Sequence, residues 1–229
     1  MNHTRRLAGV ISLLLVLSPA LRAHVWQTGP NSFVAGIPTD RFVYIVAPEM
    51  QGRQRQENWC WAACVQMVLN FHGLPVSQEE VVERIFGRQV NQPANNSQIL
   101  IALSGWAPDF RGRPALITAT TYVWDEAVID DLAHEWPLIV GIENKDGSGH
   151  AYVLTAIEFH NERYVRGYQR SFWRGVWENV PVYAVRPVID NLILRDPWPR
   201  SESKTTMPWA EFNSAVMFTD RVRVARSRY

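Results

Sequence analysis

CWAACVQMVLNFHG, residues 60–73, is apolar on almost every face over 60–72 and stops at a glycine. A run of that length, closed by Gly73, predicts a buried helix with a glycine C-cap. Before it lies a polar break, RQRQEN at 53–58; after it comes SQEEVVERIFG at 77–87. There Ser77 and Glu80 make a capping-box pair ahead of an apolar stripe at Val81, Val82 and Ile85, again closed by glycine. NNSQILIALSG (95–105) predicts a third short helix, and DEAVIDDLAHEW (125–136) a fourth with acidic residues in its first turn. Past Pro137 the texture changes. PLIVGIE, the turn sequence NKDGSG and HAYVLTAIEF (137–159) read as a β-hairpin. VYAVRPVI (182–189) and NLILR (191–195) predict further strands, PWAEFNSAV (208–216) a short helix, and FTDRVRVA (218–225) a closing strand. Residues 24–50 mix short apolar runs such as RFVYIVAP (41–48) with Gly and Pro, which suits a strand and loops. Helices first and an antiparallel sheet second define an α+β fold in two layers rather than alternating βαβ units.

The chain has 229 residues, 47% of them apolar, with ten tryptophans and nine phenylalanines. That is ample material for a core without disulfide or metal staples. Its 23 basic and 22 acidic side chains leave a net charge of +1, and no long run of like charge points to nucleic acid as a partner. The first residues, MNHTRRLAGVISLLLVLSPALRAH, combine Arg5 and Arg6, an apolar run from Leu7 to Leu17, and a small-residue exit at Ala20 or Ala23. These are the marks of a secretory signal over residues 1–23, with the run too short to cross a bilayer comfortably. An exported chain, periplasmic or secreted, with one domain over 24–229 and no stable membrane insertion after signal removal is the expectation.

Export makes the cysteine count informative. There are two, Cys60 and Cys64, one helical turn apart. A bond between them would close almost no loop and add little stability, so the thiols point to reactivity or packing. Nucleophilic catalysis by cysteine requires a thiolate, a base, a group that orients the base, and donors for an oxyanion. Cys60 stands at the start of the predicted helix, where unpaired N–H groups and the macrodipole favour a thiolate. His150 opens a strand directly after a glycine turn. Asp196 ends the strand NLILR ahead of Pro197, placed to hold the imidazole. Gln54, six residues before Cys60, is the candidate second oxyanion donor beside the Cys60 N–H.

QRQENWCWAAC, GHAYVLTAI and LILRDPWP together resemble the three signatures of papain-like cysteine peptidases. They are most similar to the bacterial branch of avirulence-type effector peptidases and bacteriocin-processing peptidases. The resemblance spans about residues 50–200. It implies a helical half carrying the nucleophile and an antiparallel sheet half carrying the base and its orienter. It also implies catalytic roles for Cys60, His150, Asp196 and Gln54, a protein or peptide substrate, and no cofactor or metal. The cysteine that precedes the nucleophile in the plant-type branch is absent here, and with it that branch's disulfide.

Several residues compete for these roles. Cys64, one turn deeper in the helix, reads as a small buried apolar residue. A zinc site of Cys60, Cys64, His150 and Asp196 would need an unusual cysteine spacing. His160 rivals His150 as base, Asp190 rivals Asp196 as orienter, and Gln56 rivals Gln54. Residues 160–189 look inserted between His150 and Asp196. Within them RYVRGYQRSFWRGVW (163–177) interleaves arginines with aromatics. It reads either as an amphipathic hairpin packed on the sheet or as a partner-binding flap beside the cleft. At the level of function, an acyl transferase on the same residues and a non-catalytic binding module are the alternatives to a peptidase.

Overall fold

The computed structural model describes residues 24–43, 52–121, 124 and 127–226. The leader over 1–23 and most of the strand expected at 41–48 fall outside the described residues. The chain is α+β, as the helix-then-sheet order predicts. In sequence the elements are β1 (Val25–Gly29), β2 (Ser32–Gly36), α1 (Cys60–Phe71), α2 (Gln78–Phe86), α3 (Asn96–Leu103), β3 (Ala115–Thr121), α4 (Ala127–Ala133), β4 (Leu138–Glu143), β5 (Gly149–Trp173), β6 (Val176–Arg195), β7 (Lys204–Pro208), α5 (Trp209–Ala215) and β8 (Val216–Arg226).

Local chemistry accounts for the helices of the first half. α1 ends in a Schellman arrangement, with Gly73 N–H on the Asn70 carbonyl and Leu74 N–H on the Leu69 carbonyl, both at 2.9 Å. α2 starts on the Ser77–Glu80 capping box and ends at Gly87. α3 has a capping box of its own, Asn95 with Gln98. α4 is shorter than the 125–136 expected. It stops at Ala133 because Glu135 turns left-handed, with φ 59°, and Trp136 precedes a proline, which disfavours helix.

Among the described residues every strand pairing is antiparallel, and the main path of the sheet runs β1-β2-β5-β4-β8-β3, with β6 along the other edge of β5 and β7 beyond it. β4 and then β2 pair with successive parts of the same edge of β5, at 149–154 and 156–160. β1 and β2 fall in the 24–50 stretch read as a strand and loops, and β3 and β7 were not anticipated. β1, β2, β3 and β7 lie at the sheet's margins, where pairing with distant segments outweighs weak local signals.

The two-layer expectation needs correction. α1, α2 and α3 pack on one face of the sheet with Ile139, Ala151, Val153 and Val222. α4 and α5 cover the opposite face through Val128, Leu132 and Phe212 against Leu138, Val140, Ile142 and Leu154. β4 is therefore buried on both faces, which is why its sequence is a continuous apolar run rather than an alternating one. Gly141 sits in the middle of that strand with the Phe218 ring against it, where a Cβ would occupy the ring's own space. Gly141→Ala should destabilise the fold by about 1–3 kcal/mol through overpacking, lowering Tm in a thermal melt.

Residues 160–189 form the outer part of one long β5–β6 hairpin. The last β5 residue paired with the body of the sheet along the β2 edge is His160, and from Asn161 to Trp173 β5 pairs only with β6. His150 opens β5 and Asp196 follows the end of β6, so the hairpin leaves the sheet at the end away from both. The 163–177 segment is neither packed on the sheet nor placed beside the cleft.

Candidate active site

Three segments converge on Cys60. The first is the approach to α1. Cys60 is the first residue of the helix, so its N–H has no intrahelical acceptor. The buried indoles on either side fix this helix end: Trp59 Nε1 donates to the Val90 carbonyl at 2.8 Å, and Trp61 Nε1 to the Gln92 carbonyl at 3.1 Å. The second is the β4–β5 hairpin. Its turn is closed by Asn144 N–H on the Ser148 carbonyl, and Asp146 accepts from both the Ser148 backbone and hydroxyl. His150 follows directly, opposite Ile142. The third is the exit from β6, where Asp196 precedes Pro197.

The side chains meet. His150 Nε2 lies 2.9 Å from Asp196 Oδ1, with both side chains 14% exposed. That leaves the other ring nitrogen for Cys60, whose thiol is stabilised as a thiolate by His150 and by the Ala151 and Trp61 backbone. The Trp198 N–H donates to Asp196 Oδ1 at 2.8 Å, fixing the carboxylate. Two aromatic edges hold the imidazole, with Tyr152 at 4.6 Å and 84° and Trp198 at 6.4 Å and 77° between ring centroids and planes.

Electrostatics follow from this geometry. Burial pushes the Cys60 thiol up, but the His150 hydrogen bond and charge, with the Ala151 and Trp61 N–H groups, outweigh it and bring the pKa below the ordinary thiol value. Burial pulls His150 down, but Asp196 and the Cys60 sulfur raise it to about 9. Asp196 is likewise disfavoured by burial yet held below its usual range by His150, the Trp198 N–H and Ser201. These shifts favour a thiolate–imidazolium pair backed by a carboxylate. Tyr152, pushed to about 12 by burial and by the nearby negative groups, stays neutral.

The rivals are placed elsewhere. Cys64 is fully buried, and burial raises its thiol well above the ordinary range. His160 pairs with Asp190 at 2.8 Å, both partly exposed. That pair stands further along β5, about 33 Å from His150 at the usual rise per residue. Neither can serve Cys60.

Gln54 is buried, and its side-chain Nε2 donates to the carbonyls of Gln56 at 3.0 Å and Glu57 at 2.9 Å. An amide has two N–H bonds, and both are engaged here. The expected free donor is instead a latch on the loop before Cys60. The same loop is stitched to the Asp196 segment. Gln54 N–H donates to the Pro197 carbonyl at 2.9 Å, and Arg53 Nη1 reaches the carbonyls of Asp196 at 3.0 Å and Trp198 at 2.7 Å. Gln78 on α2 ties the loop down, donating to the Arg53 carbonyl at 2.8 Å and to Gln66 Oε1 at 3.0 Å. Arg53, Gln78 and Tyr152 were passed over in the sequence. The residue types carry no motif, and their partners lie far along the chain.

The site opens into a cleft of about 420 Å³. Its walls come from Glu57 and Asn58 before α1, from Asn144, Ser148 and Gly149 in the hairpin turn, and from Tyr152 and Trp198, with Pro93 completing the lining. The groove is open and of mixed polarity, with Cys60, His150 and Asp196 along it.

The Peptidase_C39-like family matches residues 46–217, most of the chain and all three segments of the site. The chain belongs to the Peptidase_C39-like family, and it is a papain-like cysteine peptidase, a hydrolase acting on peptides. No curated protein matches it. Among solved structures, it is similar to the peptidase domain of Streptococcus ComA, described as a bi-functional ABC transporter involved in a quorum-sensing pathway. The identity is 17% and the TM-score 0.47, over 76% of this chain and 96% of that one.

Proposed function

We propose that this chain is an exported peptidase whose Cys60 thiolate opens peptide bonds, with His150 as acid and base and Asp196 holding the imidazole. The observation that carries the reading is the His150–Asp196 contact at 2.9 Å in a cleft that Cys60 also lines, with His150 lowering the Cys60 pKa. Cys60 Sγ attacks the carbonyl carbon, and the carbonyl π-pair moves to oxygen. The Cys60 N–H, at the helix start, stabilises that oxyanion. His150 gives its proton to the departing amine as the C–N bond breaks, leaving a thioester. Water then loses a proton to His150 and adds to the thioester carbon. The acid product departs, and the thiolate–imidazolium pair is restored. Residues 1–23, with two arginines ahead of an apolar run, direct export.

Gln54 joins as second oxyanion donor only by exchanging one of its two carbonyl bonds when substrate arrives. Gln54→Ala should then lower kcat by about 10²-fold or more with little change in KM. A fall in thermal stability at unchanged kcat would assign Gln54 to holding the loop alone. The overall reading is tested by incubating the protein with a peptide mixture and following both products and Cys60 by mass spectrometry. New amino termini and an acyl adduct confined to Cys60 are expected. Amine-dependent transfer products without hydrolysis would mark an acyl transferase, and neither product would sink the enzymatic reading.

A further inference from the structure

The outer β5–β6 arm has no role in the chemistry above, yet its composition is unlike that of an ordinary solvated ribbon. From His160 to Trp173 it extends roughly 40 Å at the usual strand rise. It closes in a two-residue turn at Arg174 and Gly175, with φ of 48° and 83°, the mirror-image geometry that suits a twisted hairpin. Residues opposite one another in the register share a face. Phe172 and Trp177 stand on one face of the tip, Trp173 and Val176 on the other. All four are 57–66% exposed, and Tyr168 behind them is 70% exposed.

Charge is arranged around this apolar tip. Arg163, Arg166, Arg170 and Arg174 lie within 163–177, a stretch with no carboxylate. The nearest acidic groups are Glu178, opposite Ser171, and Glu162, which is already paired with Arg186 at 2.7 Å. Arg163 lies 3.6 Å over the Tyr183 ring and Arg170 5.1 Å over Trp177, so the guanidiniums stay close to the ribbon behind the tip.

We propose that this arm is a peripheral membrane anchor that seats its tip in the interface of an anionic lipid surface. Two features select that occupant. A folded protein partner offering one surface would cover one face of the ribbon, whereas the apolar side chains project from both. A lipid interface surrounds a protruding tip on all sides. Arg170, two residues behind Phe172, falls at headgroup depth, with Arg174 on the turn itself and Arg166 and Arg163 further back, and the cationic ribbon is attracted to anionic lipid. The arm crosses nothing: it holds the cleft, at the opposite end of β5, away from the surface and open to peptides.

The test uses the full chain with vesicles of phosphatidylcholine alone or mixed with phosphatidylglycerol, following tryptophan quenching by brominated lipid. Residues 1–23 contain no tryptophan, so the apolar leader does not report. In the wild type quenching should appear with phosphatidylglycerol and weaken with salt, and the affinity read by vesicle co-sedimentation should fall about tenfold or more in two variants. One is Phe172→Ser/Trp173→Ser/Trp177→Ser; the other replaces Arg163, Arg166, Arg170 and Arg174 with glutamine. Iodoacetamide labelling of Cys60 should be unchanged in both, which shows that they fold. The proposal is overturned by absent quenching. It is also overturned if the arm instead drives self-association without vesicles, or if soluble polyglutamate binds as tightly as vesicles and independently of the tip residues.

Discussion

Cys60→Ala is expected to lower kcat/KM for peptide hydrolysis by at least about 10⁴-fold, while Cys64→Ala leaves it near the wild-type value. The two cysteines share a helix, yet their surroundings are opposite. Cys60 meets His150 and two backbone N–H groups at the mouth of a cleft. Cys64 is wholly enclosed by the core, where burial keeps it a thiol. Its replacement should cost about 1 kcal/mol or less, the loss of one small buried group. Hydrolysis surviving in Cys60→Ala would refute the assignment, and loss in both variants with intact folding would point to a joint role for the pair.

The second large effect belongs to His150→Gln. Burial raises the Cys60 pKa, and the imidazolium is the main group opposing it. Without that cation the thiol should titrate higher than in the wild-type protein, so less thiolate exists at pH 7. Each pKa unit lost is a tenfold fall in thiolate. Hydrolysis should fall by about 10⁴-fold, since the proton donor for the leaving amine disappears too. Alkylation of Cys60 at pH 7 should fall at least about tenfold. In the wild-type enzyme the same linkage sets both limbs of the activity profile. Activity declines on acidification as the thiolate gains a proton, and on the alkaline side as His150, with its pKa of about 9, loses one. Equal alkylation rates in the two proteins would mean that His150 does not set the thiolate.

The sequence carried these contacts unevenly. The Ser77–Glu80 box and the α1 stop at Gly73 were legible because each is written within a few consecutive residues. The partnership of His150 with Asp196 was legible only through motif order, since nothing local ties residues 46 apart. β3 escaped notice because its seven residues are held by β8, with Thr118 opposite Arg223, rather than by their own pattern. The direction of the 163–177 arm was equally hidden. It depends on β5 and β6 keeping one ladder, through its bulges, from Val153 and Arg195 to the tip. Gln54 shows a different limit. Its position before Cys60 was readable, but which carbonyls occupy its amide depends on how the loop folds back.

The pH dependence of iodoacetamide alkylation, resolved to Cys60 by mass spectrometry, tests the thiolate–imidazolium pair most directly. The pair predicts substantial reactivity already at neutral pH, below the ordinary thiol transition near about 8.5, and a second rise near pH 9 as His150 loses its proton. A single transition at or above the ordinary thiol value, the same in His150→Gln, would contradict it.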